Sequence, residues 1–336
     1  MKSCIVTGPD KTDVVEGPTP VTGPRDVLVR IRACGICGSD SMYIAIGGLP
    51  PRQGHMPLGH EPAGEVVEVG AEVTDVRIGD HVVINPMAAP GGIIGNGGPQ
   101  GGLSEYLLIE DARRGVSLEV IPDHIPFEVA ALNEPMAVAR HAVNRCRPAA
   151  TDKVLIFGAG PIGLGAVLAF KSVGVQHVTV ADVIASRLEK ARAIGADAVI
   201  DSSTENVHDR LIELHGEGTA MFPGKADTDI YLDAAGVPAV IDTALASAKT
   251  GATVGVVAVH KQPVSVDFVT VMSSEVSIVG SMGYPEEFFE VTADLVANWQ
   301  KYAMIISHAI PFADVATALA KAGTPGAADK IVVTRD

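Results

Sequence analysis

Up to about residue 130 the chain alternates apolar and polar positions in short runs, as in Val27-Leu28-Val29-Arg30-Ile31-Arg32 and Gly64-Glu65-Val66-Val67-Glu68-Val69. A further run, Asp80-His81-Val82-Val83-Ile84, follows a Gly79-Asp80 turn. A period of two predicts half-buried strands, and the glycines and prolines between them predict turns. This half is therefore expected to be a β-rich, barrel-like domain, with the Gly/Pro-biased stretch 85–102 as a loop. From Thr151 the texture changes. Fully apolar strands at 154–157, 177–181, 198–200, 230–233 and 253–259 alternate with helical patterns at 162–173, 186–194 and near 207–214, and 277–281 reads as the last strand. Alternating βα units with apolar strands predict a parallel, doubly wound sheet covered on both faces, so the fold class is α/β. The segment 285–336 reads as helical and closes with a strand at 330–334, expected to return to the first domain.

Composition narrows the function classes. A chain of 336 residues favours two domains, and 47% hydrophobic with 19% charged residues is ordinary globular composition. The net charge of −15 argues against nucleic acid or an anionic membrane as partner. With no long apolar run and no signal-like start, the expected location is cytoplasmic. Four cysteines (Cys4, Cys34, Cys37 and Cys146) do not make a disulfide scaffold in so long a chain.

Two constellations carry chemistry. The first is Val154-Leu155-Ile156-Phe157-Gly158-Ala159-Gly160-Pro161-Ile162-Gly163, a strand, a glycine turn and a helix start. Gly158 permits the tight turn, Gly160 lets backbone approach a pyrophosphate, Gly163 lets the helix pack on the strand, and the helix N-terminus faces the phosphates. An acidic residue about 20 positions on should hold the ribose hydroxyls, and Asp182 occupies that place. A carboxylate there repels a 2′-phosphate, which favours NAD over NADP. Arg187, a potential phosphate partner, is read as bordering the adenosine or as solvated.

The second constellation is Gly35-Ile36-Cys37-Gly38-Ser39-Asp40 with Gly59-His60-Glu61. Thiolate, imidazole and carboxylate together suit Zn²⁺, which accepts S, N and O donors in one tetrahedral shell. Cys34-Gly35-Ile36-Cys37 also spells C-x-x-C. A redox dithiol needs a βαβ unit at that point and a structural zinc site needs two further cysteines nearby, so Cys34 is read as buried and Cys37 as the ligand. Glu61 and Glu134 are both candidates for the remaining ligand position; Glu134 precedes Pro135 at a helix start. Ser39 is placed to accept a proton from an alcohol.

With Gly102-Leu103-Ser104-Glu105-Tyr106 and Asn133-Glu134-Pro135-Met136, followed by Val138 and His141, these motifs give the chain a family likeness. It resembles the zinc-dependent medium-chain dehydrogenases, within them the sorbitol and butanediol dehydrogenase branch, over essentially its whole length. The resemblance implies a GroES-like catalytic domain (1–138 and 284–336) split around a Rossmann domain (139–283), with zinc and nicotinamide meeting in the cleft. It implies Cys37 and His60 as zinc ligands, Glu61 or Glu134 as the third, and Ser39 against the alcohol. It implies cofactor contacts from Gly158, Gly160, Pro161, Ile162, Gly163, Asp182, Arg187, Val256, Val257, Ala258, Met282 and Tyr284. Relatives are commonly homodimers or homotetramers that pair the last Rossmann strand across a two-fold axis.

Three departures matter. Stretch 85–102 has no cysteine, so one catalytic and no structural zinc is expected. Met42 stands where many relatives end a proton relay with histidine. Gly283 stands where the polyol branch often places an arginine, and losing that five-donor group argues against a sugar alcohol. Met42, Met136, Met282 and Tyr284 could line a more apolar pocket instead. The expected activity is oxidation of a secondary alcohol, diol or polyol to a ketone by NAD⁺. The alternatives are an NADP(H)-preferring ketone reductase, a non-catalytic NAD-binding protein, and a zinc-independent quinone or enoyl reductase.

Overall fold

A computed structural model describes residues 1–324 and 326–336. The chain divides into two compact units, Met1–Pro135 with Phe288–Asp336, and Met136–Glu287. These limits lie a few residues from the sequence-based ones at 138/139 and 283/284. On the C-terminal side the reason is Glu287, which accepts from His141 (2.8 Å) and Asn144 (3.2 Å) and so belongs with the second unit. Phe288 belongs with the first, where its carbonyl accepts from Asn133 at 3.0 Å.

The first unit is built on a seven-stranded sheet. Its order is Ile306–Pro311, Lys330–Thr334, Val27–Gly35, Glu61–Val69, His81–Ile84 and Leu118–Ile121, with Tyr106–Ile109 also on Val27–Gly35. Val29, Val66 and Val82 of neighbouring strands are all fully buried, as the alternating pattern demanded. The closing strand does return here, with Val332 opposite Gly35 in antiparallel register. The strand Ile306–Pro311 lies inside the stretch read as helical. Its apolar residues Ile306, Ala309 and Ile310 fall at the i, i+3, i+4 spacing of a helix, so the pattern carried no period-two signal. The helix Gly38–Ile46 was also not read from the sequence. It is opened by the Asp40 carboxylate, which accepts from Cys37 N at 2.9 Å, and closed by Gly47 at φ +78°.

The second unit holds a six-stranded parallel sheet in the order Ala198–Asp201, His177–Asp182, Lys153–Phe157, Ile230–Asp233, Thr253–Val256 and Ser277–Gly280. Apolar strands such as Lys153–Phe157 are buried because helices cover both faces of a parallel sheet. Strand order reverses beside Lys153–Phe157, between His177–Asp182 and Ile230–Asp233, which creates a crevice at the carboxyl ends. The fifth strand stops at Val256 rather than 259, because the amides of Val257 and Ala258 both turn back to donate to Asp233 O at 3.1 Å. Met136, a candidate pocket residue, is core. It is 2% exposed, and a Cβ on Gly165 would stand 2.7 Å from its sulfur. Among the described residues no helix is long and apolar enough to cross a membrane.

Candidate active site

In the first unit three chain ends converge. Val27–Gly35 leads into Cys37, which precedes the helix Gly38–Ile46; Glu61–Val69 begins at Glu61, directly after His60; and Gly35 faces Glu61 in antiparallel register. The ligand atoms of Cys37, His60 and Glu61 lie within 4.8 Å of one another. Ser39 Oγ is 3.5 Å from His60 Nε2, and both Ser39 and Cys37 are half-buried. Glu134, the other candidate ligand, is outside this three-residue group; it is buried in the first turn of Asn133–Cys146. Cys34 is buried at 1% exposure, and its sulfur packs where a Cβ on Gly59 or Gly102 would sit. Burial, with Glu61 adding to it, pushes the Cys34 thiol well up, so Cys34 is not the thiolate donor.

Two residues that the motifs did not single out complete the group. Asp40 is fully buried, and its Oδ1 lies 3.6 Å from His60 Nδ1. With Nδ1 facing a carboxylate, Nε2 is the nitrogen turned toward Ser39, the arrangement by which a carboxylate fixes a metal-binding imidazole. Burial opposes charge on His60, but the Asp40 carboxylate and Cys37 outweigh it, and its pKa stands well above the ordinary value. A cation and a proton would therefore compete for the same ring. Lys330 is the second: its ammonium pairs with Glu61 and donates to Ile36 O at 2.9 Å.

These donors fit a metal ion. Glu61 Oε1 is buried without a hydrogen-bond partner among the described residues, a costly state that a cation at the group would relieve. Soft sulfur, imidazole nitrogen and hard oxygen together match zinc.

In the second unit the glycine loop is built as its sequence implied. Gly158 has φ +95°, and a Cβ on Gly163 would stand 1.8 Å from Gly158 O, so both glycines are required by the turn itself. Gly160 is different. It caps Pro161–Ser172 in an extended conformation, and a Cβ there would meet nothing within 4 Å. The chain's own packing does not require glycine at 160, whereas a phosphate approaching the backbone would. Asp182 ends its strand, 8% exposed, with Oδ2 accepting from Ala159 N at 2.6 Å and Oδ1 from Ile184 N at 2.8 Å. A carboxylate has further lone pairs, so these bonds leave capacity for ribose hydroxyls. Arg187 is half-buried on Ala185–Ile194, and Val256, Val257 and Ala258 are half-buried at the sheet's carboxyl edge. Ile162 lies in the first turn of Pro161–Ser172; Met282 is 85% exposed and Tyr284 buried.

Comparison with known proteins identifies the family. Residues 23–119 match the alcohol dehydrogenase GroES-like domain, and residues 161–298 match the zinc-binding dehydrogenase domain. The chain is 31% identical to (R,R)-butanediol dehydrogenase of Bacillus subtilis (strain 168) over 292 residues, 80% of each chain. It belongs to the zinc-dependent alcohol dehydrogenase family. Within this family, sorbitol dehydrogenase of Ovis aries is 31% identical over 326 residues, 92% of this chain and 89% of the relative. Two solved structures frame the cofactor question. An alcohol dehydrogenase of E. coli CFT073, complexed with NADH, is 27% identical with a TM-score of 0.85, covering 100% of this chain and 99% of that one. A zinc-binding dehydrogenase of Sinorhizobium meliloti 1021, bound to NADP, is 26% identical with a TM-score of 0.84, covering 99% of each. The chain is thus an oxidoreductase of the butanediol and sorbitol dehydrogenase branch, with a GroES-like domain and a Rossmann domain.

Proposed function

We propose that the chain is an NAD⁺-dependent dehydrogenase that oxidises a secondary alcohol or vicinal diol to the ketone at a single zinc centre. The observation that carries this reading is the approach of Cys37, His60 and Glu61 donor atoms to within 4.8 Å of one another. When bound, zinc polarises the substrate hydroxyl and the nicotinamide ring accepts the hydride. The remaining work falls to side chains. Cys37, His60 and Glu61 hold the ion, and Asp40 keeps Nε2 of His60 directed at it. Ser39 Oγ, 3.5 Å from that nitrogen, takes the hydroxyl proton; being half-buried, it passes the proton on to solvent. In the second unit Gly160 and the N-terminus of Pro161–Ser172 receive the pyrophosphate, and Asp182 receives the adenosine ribose. NAD⁺ is favoured over NADP⁺ because the Asp182 carboxylate, fixed by two amides, would accept ribose hydroxyls and repel a 2′-phosphate.

The substrate class is argued from relatives named for butanediol and sorbitol. Gly283, where the polyol branch often places an arginine, favours the less hydroxylated of the two. The reading includes a second copy of the chain: Ser277–Gly280 is the outer strand of its sheet, and the adjacent Phe268–Ser273 exposes Phe268 (73%) and Met272 (71%).

One preparation tests all three parts. A panel of diols, polyols and cyclic alcohols is assayed with NAD⁺ and NADP⁺, zinc is counted per chain, and mass is read by sedimentation. The expectation is NADH formation with diols, about one zinc per chain by the donor-set argument, and a mass above 34.7 kDa. A strong NADP⁺ preference refutes the role of Asp182, zinc well below half an equivalent refutes the metal centre, and a single-chain mass removes the second copy.

A further inference from the structure

Lys330 opens the strand Lys330–Thr334, far along the chain from the metal-ligand motifs, and no motif points to it. Its side chain is 3% exposed. The ammonium donates to Ile36 O at 2.9 Å, one residue before Cys37, and pairs with Glu61 Oε2. Room for this pair is made by Gly35, where a Cβ would stand 1.8 Å from Glu61 Oε2 and 3.0 Å from Lys330 Cε. The other oxygen of the carboxylate, Glu61 Oε1, is buried with no hydrogen-bond partner among the described residues.

We propose that Lys330 is a positioning residue of the metal centre, gripping one oxygen of Glu61 and leaving only the other for the ion. The inference rests on the zinc reading above. A carboxylate shared with an ammonium is a weaker donor than a free one, and it presents one oxygen instead of two. Lys330 therefore trades metal affinity for a less electron-rich shell, which leaves the ion more able to polarise a hydroxyl.

The test is metal binding by the intact chain, stripped of metal and titrated with zinc and, for its visible absorption, with cobalt. Lys330→Met removes a repelling charge and frees both oxygens, so zinc should bind about tenfold tighter. Cobalt absorption should weaken as the second oxygen raises the coordination number. Lys330→Arg keeps the charge, and its planar fork can grip both carboxylate oxygens, so zinc should bind about tenfold weaker. Opposite shifts from the two variants support the proposal. A merely structural lysine would move both toward weaker binding, and that result, or wild-type affinity in both, overturns it. Should Lys330→Met fail to fold, Lys330→Gln takes its place: it also removes the charge while keeping a donor for Ile36 O, and it should bind zinc more tightly; weaker or wild-type affinity there overturns the proposal. Absence of zinc binding by the wild-type chain would sink the metal reading itself, which separates the two failures.

Discussion

The two candidate sites, one in each unit, solve opposite problems. In the second unit the loop around Gly158 closes its own hydrogen bonds, and both oxygens of Asp182 are taken by backbone amides. That cradle holds its shape before any ligand arrives. In the first unit Asp40, His60 and Glu61 bring buried polar atoms together and leave Glu61 Oε1 without a hydrogen-bond partner among the described residues. Four acidic or thiol groups (Cys37, Asp40, Glu61 and the nearby Glu134) share this region with the ammonium of Lys330. The difference teaches where binding energy is stored. The glycine loop is preorganised and selects by shape, whereas the metal group is held under electrostatic tension that a cation relieves.

The largest expected break in this contrast is Cys37→Ala. It removes the sulfur donor and should lower turnover by about a thousandfold or more, since metal polarisation contributes several kcal/mol. Because the second unit closes its own bonds, NADH affinity measured by fluorescence titration should stay within about twofold of wild type. Retained activity would overturn the zinc assignment. A smaller effect is expected from Asp40→Asn. Asparagine can still accept from Cys37 N, so the helix Gly38–Ile46 keeps its start. Its amide, however, presents a donor to His60 Nδ1, which forces the ring proton onto Nε2 and spoils that nitrogen as a ligand. Zinc affinity should fall roughly 10–100-fold. Unchanged affinity by competition with a chelating dye would show that His60 is oriented by something else.

The same contrast explains what could be read in advance. Leu155 and Ile156 are fully buried, and their strand was legible because burial on both faces writes an unbroken apolar run into local sequence. The glycines at 158 and 163 were legible because one loop's sterics fix them. The partners that balance charge in the metal group were not. Lys330 acts on Glu61 from the far end of the chain, and nothing local marks that strand's first residue as different from any other lysine. Asp40 lay within the quoted motif, and its spacing three residues after Cys37 is a helix-capping signal that the reading passed over. The strand Ile306–Pro311 is parallel to its neighbour and spaces Ile306, Ala309 and Ile310 as a helix would, so it showed neither period-two alternation nor a continuous apolar run.

The smallest effects come from the glycine loop, and they separate shape from ligand. Gly163→Ala puts a methyl where a Cβ would stand 1.8 Å from Gly158 O, and the turn must shift to admit it. The expected cost is about 1–3 kcal/mol of stability, with cofactor affinity falling because the loop has moved. Gly160→Ala puts its methyl into space where the chain has no atom within 4 Å, at φ −72°, which alanine adopts freely. Folding should then change little, since alanine's smaller backbone freedom is offset by its poorer fit at a helix cap. If a pyrophosphate does pass against this backbone, the methyl stands in its way, and NADH should bind roughly tenfold more weakly. Thermal melts and NADH titrations of the two variants should therefore split, one losing stability and the other losing affinity alone. Full NADH affinity in Gly160→Ala would show that the open space above this residue is not where the dinucleotide runs.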